Sequence, residues 1–331
     1  MKTDLKYMWP ERLAQVQAPL EEELGAIRVR IDELLVSCFK PIDEVIVHLF
    51  SKSGKMIRPT LLLLSADRKR SRLEDLISTG AAIEVIHTAS LVHDDSIDKS
   101  TSRRGIQTLN SKWNHKTSVI MGDYLLAQAF DELIKLGNLE IVREITTACQ
   151  SLATGEMRQM SMEGNFDVTE EDYFTFIREK TGALFSATCT VASLLDGSSQ
   201  RDFLKEFGML FGSIFQLTDD LLDYIGSSPE TGKPIGMDIR ERKMTLPLIY
   251  ALSRMDKESV AEVKEAFSSE EIGRRETERI TGLVVAYGGL DYAWSKVTDL
   301  AYEALRLVDT IPGELGFRLR ELVDLIVERD R

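Results

Sequence analysis

Cysteine is nearly absent from this 331-residue chain: Cys38, Cys149 and Cys189 are odd in number and far apart. They make neither a disulfide framework nor a metal-ligand spacing, and they fit a reducing compartment. Proline and glycine are scarce too, at 8 and 21 residues. That leaves too little punctuation for an all-β protein or a disordered one. Basic charge falls short of acidic, with 41 Lys and Arg against 54 Asp and Glu, for a net charge of −13. A surface of that sign repels phosphate backbones, which argues against sequence-independent nucleic-acid binding. No apolar run approaches the ~18 residues that span a bilayer. Met1, Lys2, Thr3 and Asp4 are followed by no signal-peptide core. The expected location is the cytoplasm, with at most peripheral contact to a membrane.

What the chain does have is apolar content, 43% of residues, recurring at three- and four-residue spacing. Leu20, Leu24, Ile27, Ile31, Leu34 and Leu35 make one such stripe, and Leu315, Leu319, Leu322 and Ile326 another. Breaks fall at Pro41, Ser51 to Gly54, Arg104 to Gln107, Gly137-Asn138, Gly164 to Val168, Gly197 to Ser199, Ser227 to Gly236, Ser268-Ser269, Gly288-Gly289 and Pro312-Gly313. They predict about ten to twelve helices, many longer than the usual ~12 residues. The expected fold is all-α: one large helical-bundle domain over 1–331 around a central cavity, with 1–40 a peripheral helical segment.

Three runs carry no charge: Val85 to Val92, Thr181 to Leu195 and Phe207 to Thr218. Helices apolar all round belong at the centre of a bundle. Two of these runs lead into acidic clusters, Asp94-Asp95-x-x-Asp98 and Asp219-Asp220-x-x-Asp223. On a helix, residues four apart are separated by about 40° and about 6 Å of rise. Asp94 therefore points with Asp98, and Asp219 with Asp223. A lone D-D-x-x-D in an acidic protein is usually a solvated face. Here the spacing is repeated, each time after an apolar helix, where like charges repel unless cations neutralise them. Oxygen-only ligands suit Mg²⁺ completed by substrate phosphates. Two such clusters facing each other across a cavity would make a polymetal site for one polyphosphate.

Basic residues answer the acids. Lys55 and Arg58, at i and i+3, are expected on one helical face near an N-terminus, a ready anion site. Arg103-Arg104 follows the first cluster, and guanidinium forks match phosphate oxygens. Lys180 opens an uncharged run, and Lys233 and Lys243 flank Asp238 after the second cluster. His87 lies two helical turns before Asp94 on the same face.

The motifs G-K-M-I-R-P (54–59), I-E-V-I-H-T-A-S-L-V-H-D-D-S-I-D (83–98), R-R-G (103–105), G-D-Y-L-L-A (122–127), E-K-T-G-A-L-F (179–185), F-Q-L-T-D-D-L-L-D (215–223) and G-K-P-I-G-M-D-I-R-E-R-K-M-T-L-P (232–247) occur in this order. In that set the chain resembles the trans-isoprenyl diphosphate synthases, or polyprenyl synthetases. The resemblance implies the isoprenoid synthase fold, a homodimer, and about three Mg²⁺ ions bound with an allylic diphosphate. It implies that Asp94, Asp98 and Asp219 bind metal directly, supported by Asp95, Asp220 and Asp223. Arg103, Lys180 and Lys233 would hold the allylic diphosphate. Lys55, Arg58, His87 and Arg104 would hold isopentenyl diphosphate, with Lys243 among the substrate-binding residues. Thr181 and Gln216 would present oxygens to the allylic cation. Ser53, Met56 and Arg242 depart from the common pattern, and so does the tail Glu328-Arg329-Asp330-Arg331, which in the family is often strongly basic.

The implied reaction is head-to-tail prenyl transfer, which demands no side-chain nucleophile. Ala89 and Ser90, small residues upstream of Asp94, stand where an aromatic residue stops growth at short products in the family. Ile86 would line the tunnel deeper. A medium- or long-chain all-trans polyprenyl diphosphate is therefore expected, most like the bacterial heptaprenyl-type enzymes. A geranylgeranyl-length synthase, a catalytic subunit needing a small noncatalytic partner, a noncatalytic prenyl-diphosphate-binding subunit and a same-fold cyclase remain alternatives. A single-substrate cyclase has no use for a second diphosphate set.

Overall fold

A computed structural model of the protein describes residues 8–52, 54–225, 236–311 and 313–327. Tyr7, Ser53, Ser227 to Lys233, Pro312 and the Glu328–Arg331 tail lie outside the described residues. The helices are α1 (Met8–Gln17), α2 (Glu21–Leu34), α3 (Lys40–Leu49), α4 (Ile57–Ser65), α5 (Leu73–Ile97), α6 (Leu109–Lys112), α7 (His115–Lys135), α8 (Leu139–Met162), α9 (Glu170–Ile177), α10 (Ala183–Asp196), α11 (Arg201–Ile225), α12 (Met237–Arg240), α13 (Leu246–Arg254), α14 (Lys257–Ser268), α15 (Arg274–Ala286), α16 (Gly289–Val308) and α17 (Glu314–Val327). The fold is all-α, apart from one pair of two-residue strands, β1 (Ser102–Arg103) and β2 (Ile106–Gln107).

Among the described residues there are more helices than the ten to twelve expected, because several end without Gly or Pro. After α4 the chain turns on Asp67, whose carboxylate accepts from the Lys69 and whose carbonyl accepts from the Arg70 backbone N–H groups. Asp256 starts α14 by accepting from Ser259 N–H, and Thr169 and Asp172 start α9 with reciprocal capping bonds. Pro41 opens a helix rather than breaking one: it sits in the first turn of α3, where a missing N–H costs nothing.

The described residues group into two compact units. One holds the described residues within 12–146 and 187–205; the other holds those within 1–11, 147–186 and 206–331. In the first unit α5 packs against α2, α4 and α7. Residues 78–86 of α5 are buried without interruption, as a helix with no polar face requires. Leu24, Ile27 and Ile31 form the buried stripe of α2, and the acidic first turn Glu21-Glu22-Glu23 complements its dipole. α5 is also long and apolar enough to cross a membrane by length and composition, but 67% of its apolar window is buried inside the protein. In the second unit α13 packs on α15 and α16, α16 on α17, and α9 on α13. Tyr173, Phe185, Phe207 and Phe211 are fully buried there.

Candidate active site

The first acidic cluster closes α5. Asp94 and Asp98 are half-buried, and Asp98 is the C-terminal cap, its N–H donating to the Asp94 carbonyl at 2.8 Å. Asp95 is 6% exposed. Arg103 Nε donates to its two carboxylate oxygens at 2.8 and 2.9 Å, and Arg103 Nη2 lies 2.7 Å from Oδ1. Burial works against the Arg103 charge, yet Asp95, then Asp94 and Asp98, hold its pKa above the ordinary value. Arg103 reaches Asp95 because the strands pair Arg103 with Ile106 across a two-residue turn. Both turn residues, Arg104 (φ +53°) and Gly105 (φ +74°), are left-handed, the signature of a type I′ hairpin.

That hairpin brings the exposed Arg104 to a cationic group in which Arg58 is buried and His87 half-buried. A Cβ on Gly54 would lie 2.9 Å from Arg104 Nη1 and 3.0 Å from Glu84 Oε1, so guanidinium and carboxylate meet over a bare backbone. Arg58 is 8% exposed, and burial lowers its pKa to about 10 against the opposing pull of Glu84. Burial raises the Glu84 pKa, opposed by Arg58, Arg104 and Arg28. His87 sits in the field of Arg58, Arg104 and Arg103; burial first, then those charges, push its pKa well below normal. Lys55 does not share a helical face with Arg58, contrary to the expectation from spacing. Met56 is left-handed (φ +53°) and caps α4, so Lys55 precedes the helix and is exposed. Upstream of Asp94, Ile86 and Ala89 are buried, and the half-buried Ser90 donates to the His87 carbonyl.

The second acidic cluster lies on α11. Asp219 is exposed, Asp223 half-buried and Asp220 only 6% exposed. Tyr173 Oη donates to Asp220 Oδ2 at 2.6 Å, and Gln216 Nε2 donates to Oδ1 at 2.7 Å. Burial raises the Asp220 pKa to about 7. Asp223 accepts from the backbone N–H groups of Met237 and Asp238 at 3.2 and 2.9 Å. Asp238 is itself pushed well above the carboxylate range by burial, then by Asp223 and Asp220. Lys243 lies near both acids and pairs with Glu241 at 2.6 Å.

Lys180 and Thr181 sit in a π turn, Arg178–Gly182, a widened turn of the kind that re-aims side chains at functional sites. Lys180 Nζ donates to Gln159 Oε1 at 2.6 Å and forms an ion pair with Glu156. A Cβ on Gly155 would run into the Lys180 backbone nitrogen, so α8 approaches this turn at backbone distance. Thr181 Oγ1 donates to Gln216 Oε1 at 2.6 Å. Lys233 lies outside the described residues.

Glu84, Glu156, Gln159, Tyr173 and Asp238 belong to these arrangements and were not among the expected residues. Asp238 lies inside a quoted motif, so the signal for it was present. Arg242 has a structural task that accounts for its departure from the pattern: it donates to the carbonyls of Phe267, Ser269 and Glu270, closing the end of α14. Among the described residues no three His, Cys, Asp or Glu side chains are arranged to hold a metal alone. The donor set fits a hard cation nonetheless: oxygen-only carboxylates one turn apart, of the kind that share an ion with waters and phosphate.

The polyprenyl synthetase family model matches residues 39–284. The chain belongs to that family. Polyprenyl synthetases are prenyltransferases, and this one is a trans-isoprenyl diphosphate synthase. It is 34% identical over 299 residues to the all-trans-nonaprenyl-diphosphate synthase (geranyl-diphosphate specific) of Rhodobacter capsulatus, covering 90% of this chain and 91% of that one. It is 32% identical over 323 residues to heptaprenyl diphosphate synthase component 2 of Geobacillus stearothermophilus, covering 96% and 99%. The crystal structure of a polyprenyl synthase from Caulobacter crescentus CB15, complexed with calcium and isoprenyl diphosphate, superposes with a TM-score of 0.89 at 28% identity, covering 97% and 98%. Divalent metal thus accompanies the diphosphate in a close structural relative.

Proposed function

We propose that this polyprenyl synthetase condenses isopentenyl diphosphate with an allylic diphosphate, head to tail, to give a medium- or long-chain all-trans polyprenyl diphosphate. The observation that carries the reading is the cationic group of Arg58, Arg104 and a neutral His87, placed on the same unit as Asp94, Asp95 and Asp98. A second, metal-free diphosphate subsite is what an elongating enzyme needs and a single-substrate cyclase does not. Lys55, Arg58, His87 and Arg104 hold isopentenyl diphosphate and present its double bond to C1 of the allylic partner. Arg103, Lys180 and Lys233 hold the allylic diphosphate, with Lys243 nearby. Asp94, Asp98 and Asp219 are the metal ligands, for three Mg²⁺ ions by family analogy, and Asp95, Asp220 and Asp223 orient them. Bound Mg²⁺ neutralises the diphosphate and makes it a better leaving group. Thr181 and Gln216 turn oxygens towards the charge that develops on the allylic carbons. The apolar walls exclude water that would quench it.

Product length rests on the small Ala89 and Ser90, with Ile86 and Ile83 beyond them. Ser90→Phe is expected to shift the product distribution to shorter chains, read by chromatography. An unchanged distribution would show that the tunnel does not follow this stretch of α5.

The chain is proposed to act as one catalytic domain over 1–331, with 1–40 as its helical N-terminal segment, in the cytoplasm. A homodimer is supported by Ile120 and Ile134, exposed apolar residues on α7. A second reading, a catalytic subunit that needs a small partner, is supported by the likeness to a chain named component 2. The purified chain, incubated with Mg²⁺, labelled isopentenyl diphosphate and allylic primers of several lengths, separates these readings. Chain elongation by the chain alone supports the proposal. Incorporation only after a partner is added favours the second reading, and no incorporation under either condition overturns both.

A further inference from the structure

Tyr173 is fully buried, yet its hydroxyl is spent on one carboxylate oxygen of Asp220. The other oxygen of that carboxylate accepts from the Gln216 amide nitrogen. The two bonds come from different elements, α9 and α11, and they use both oxygens of a side chain that contact with water leaves almost untouched. Their consequence is directional. Both bonds are donated to the carboxylate, and the Gln216 amide turns its NH₂ towards Asp220. Its carbonyl oxygen is then left facing Thr181, and the Thr181 hydroxyl must donate to it, at 2.6 Å. A flipped Gln216 would turn its carbonyl oxygen to Asp220 and its NH₂ to Thr181, reversing both bonds. The chain Tyr173–Asp220–Gln216–Thr181 therefore has one polarity. It leaves Thr181 Oγ1 with its proton pointed away and its lone pairs unspent. A hydroxyl in that state offers electron density to a cation and has no proton to donate to the diphosphate oxygens.

We propose that Tyr173 is a positioning residue for prenyl transfer: it pins Asp220, and through Asp220 and Gln216 it fixes the direction of the Thr181 hydrogen bond, so that Thr181 faces the allylic cation as an acceptor. The inference rests on the assignment of Thr181 and Gln216 to the cation under the proposed function. The assisted step is heterolysis of the allylic C1–O bond, in which the bonding pair leaves with the diphosphate and the positive charge stays on the allylic carbons. Without the Tyr173 donor, the carboxylate can rotate, the Gln216 amide loses its fixed partner, and the Thr181 hydroxyl is released to donate elsewhere. Isopentenyl diphosphate is held by other groups, Lys55, Arg58, His87 and Arg104, and its binding is expected to stay as it was.

The test is a double-mutant cycle with Tyr173→Phe, which keeps the buried ring and removes the hydroxyl, and Thr181→Val, which keeps the shape and removes the oxygen. The readouts are kcat, KM for both diphosphates, and the rate ratio between the allylic substrate and its 2-fluoro analogue, whose cation is harder to form. Tyr173→Phe is expected to lower kcat tenfold or more, to leave KM for isopentenyl diphosphate within about twofold, and to widen the fluoro ratio. Added to Thr181→Val it is expected to cost nothing further. Additive losses in the cycle overturn the proposal, as does a change in KM alone or a fluoro ratio equal to that of the unmodified enzyme. If Tyr173→Phe does not fold, by circular dichroism and melting, Tyr173→Met, which fills the buried volume without a hydroxyl, takes its place in the same cycle, with the same outcomes for and against. A normal kcat in Thr181→Val sinks the assignment of Thr181 itself and the proposal with it. A slow Thr181→Val beside a normal Tyr173→Phe sinks the relay alone and leaves that assignment standing.

Discussion

In the α5 region the central aspartate of the motif, Asp95, is gripped by a guanidinium; in the α11 region its counterpart, Asp220, is held by a phenol and an amide. The contrast extends to the neighbours. Around α5 the buried titratable groups lie among arginines, and burial with those charges drives His87 towards its neutral form. Around α11 they lie among acids, and burial with those charges drives Asp220 to about 7 and Asp238 well above the carboxylate range. One sequence pattern thus serves two electrostatic settings. The surroundings of Arg58, Arg104 and His87 favour an added anion, and those of Asp220 and Asp238 an added cation.

If both clusters carry metal, Asp94→Ala and Asp219→Ala should each lower turnover on the order of a thousandfold. Circular dichroism should show an unchanged helical fold. Near-normal turnover in one of them would confine the metal role to the other cluster. The next largest effect separates the two central aspartates. Arg103→Ala leaves Asp95 buried beside no guanidinium fork and should destabilise the chain by about 3 kcal/mol in urea unfolding. Tyr173→Phe removes one hydrogen bond to a carboxylate and should cost about 2 kcal/mol. Equal losses would erase the distinction between a charged and a neutral clamp.

Gly155→Ala probes the α11 side from another direction, because its Cβ would meet the Lys180 backbone. Overpacking there should cost about 2 kcal/mol and raise KM for the allylic diphosphate, since Lys180 must move. A KM unchanged beside lost stability would separate the packing from the binding. The smallest effect is a pH dependence on the α5 side. His87 has its folded pKa depressed below the unfolded value of about 6.5, so its contribution to stability is complete above that value. It declines as pH falls below about 6.5 towards the folded pKa, by at most ~1.4 kcal/mol per pH unit. The difference in melting temperature between the unmodified protein and His87→Asn, followed from about pH 8 to about pH 5, checks the sign, since the raised pKa values of Glu84, Asp220 and Asp238 tilt the whole profile the other way. Isopentenyl diphosphate, an anion, should raise the His87 pKa in a histidine-resolved NMR titration.

Much of this was readable in the chain itself, because it is local. The repeat of Asp94 with Asp98 and of Asp219 with Asp223 needs only helical spacing, and the uncharged run before each cluster marks the helix as central. The stripe Leu20, Leu24, Ile27 and Ile31 is buried as its period requires. What was not readable depends on residues far apart in sequence. Tyr173 and Asp220 are 47 positions apart, and Lys180 and Gln159 are 21 apart. No spacing rule connects them. Glu84 looked like any acid on an apolar helix until Arg58 and Arg104 closed around it. The misplacement of Lys55 has a local cause that sequence conceals, a left-handed residue at Met56 where no glycine marks it.

The sequence by itself determined the helical class, the two acidic triplets and the order of the seven motifs, since periodicity and short-range spacing are properties of a chain read along its length. Only the tertiary structure decided which aspartate of each triplet is buried, whether a cation or a neutral donor holds it, and which way Gln216 and Thr181 are turned. Those outcomes depend on desolvation and on the direction of hydrogen bonds, and both are set by what other parts of the chain bring to the same place.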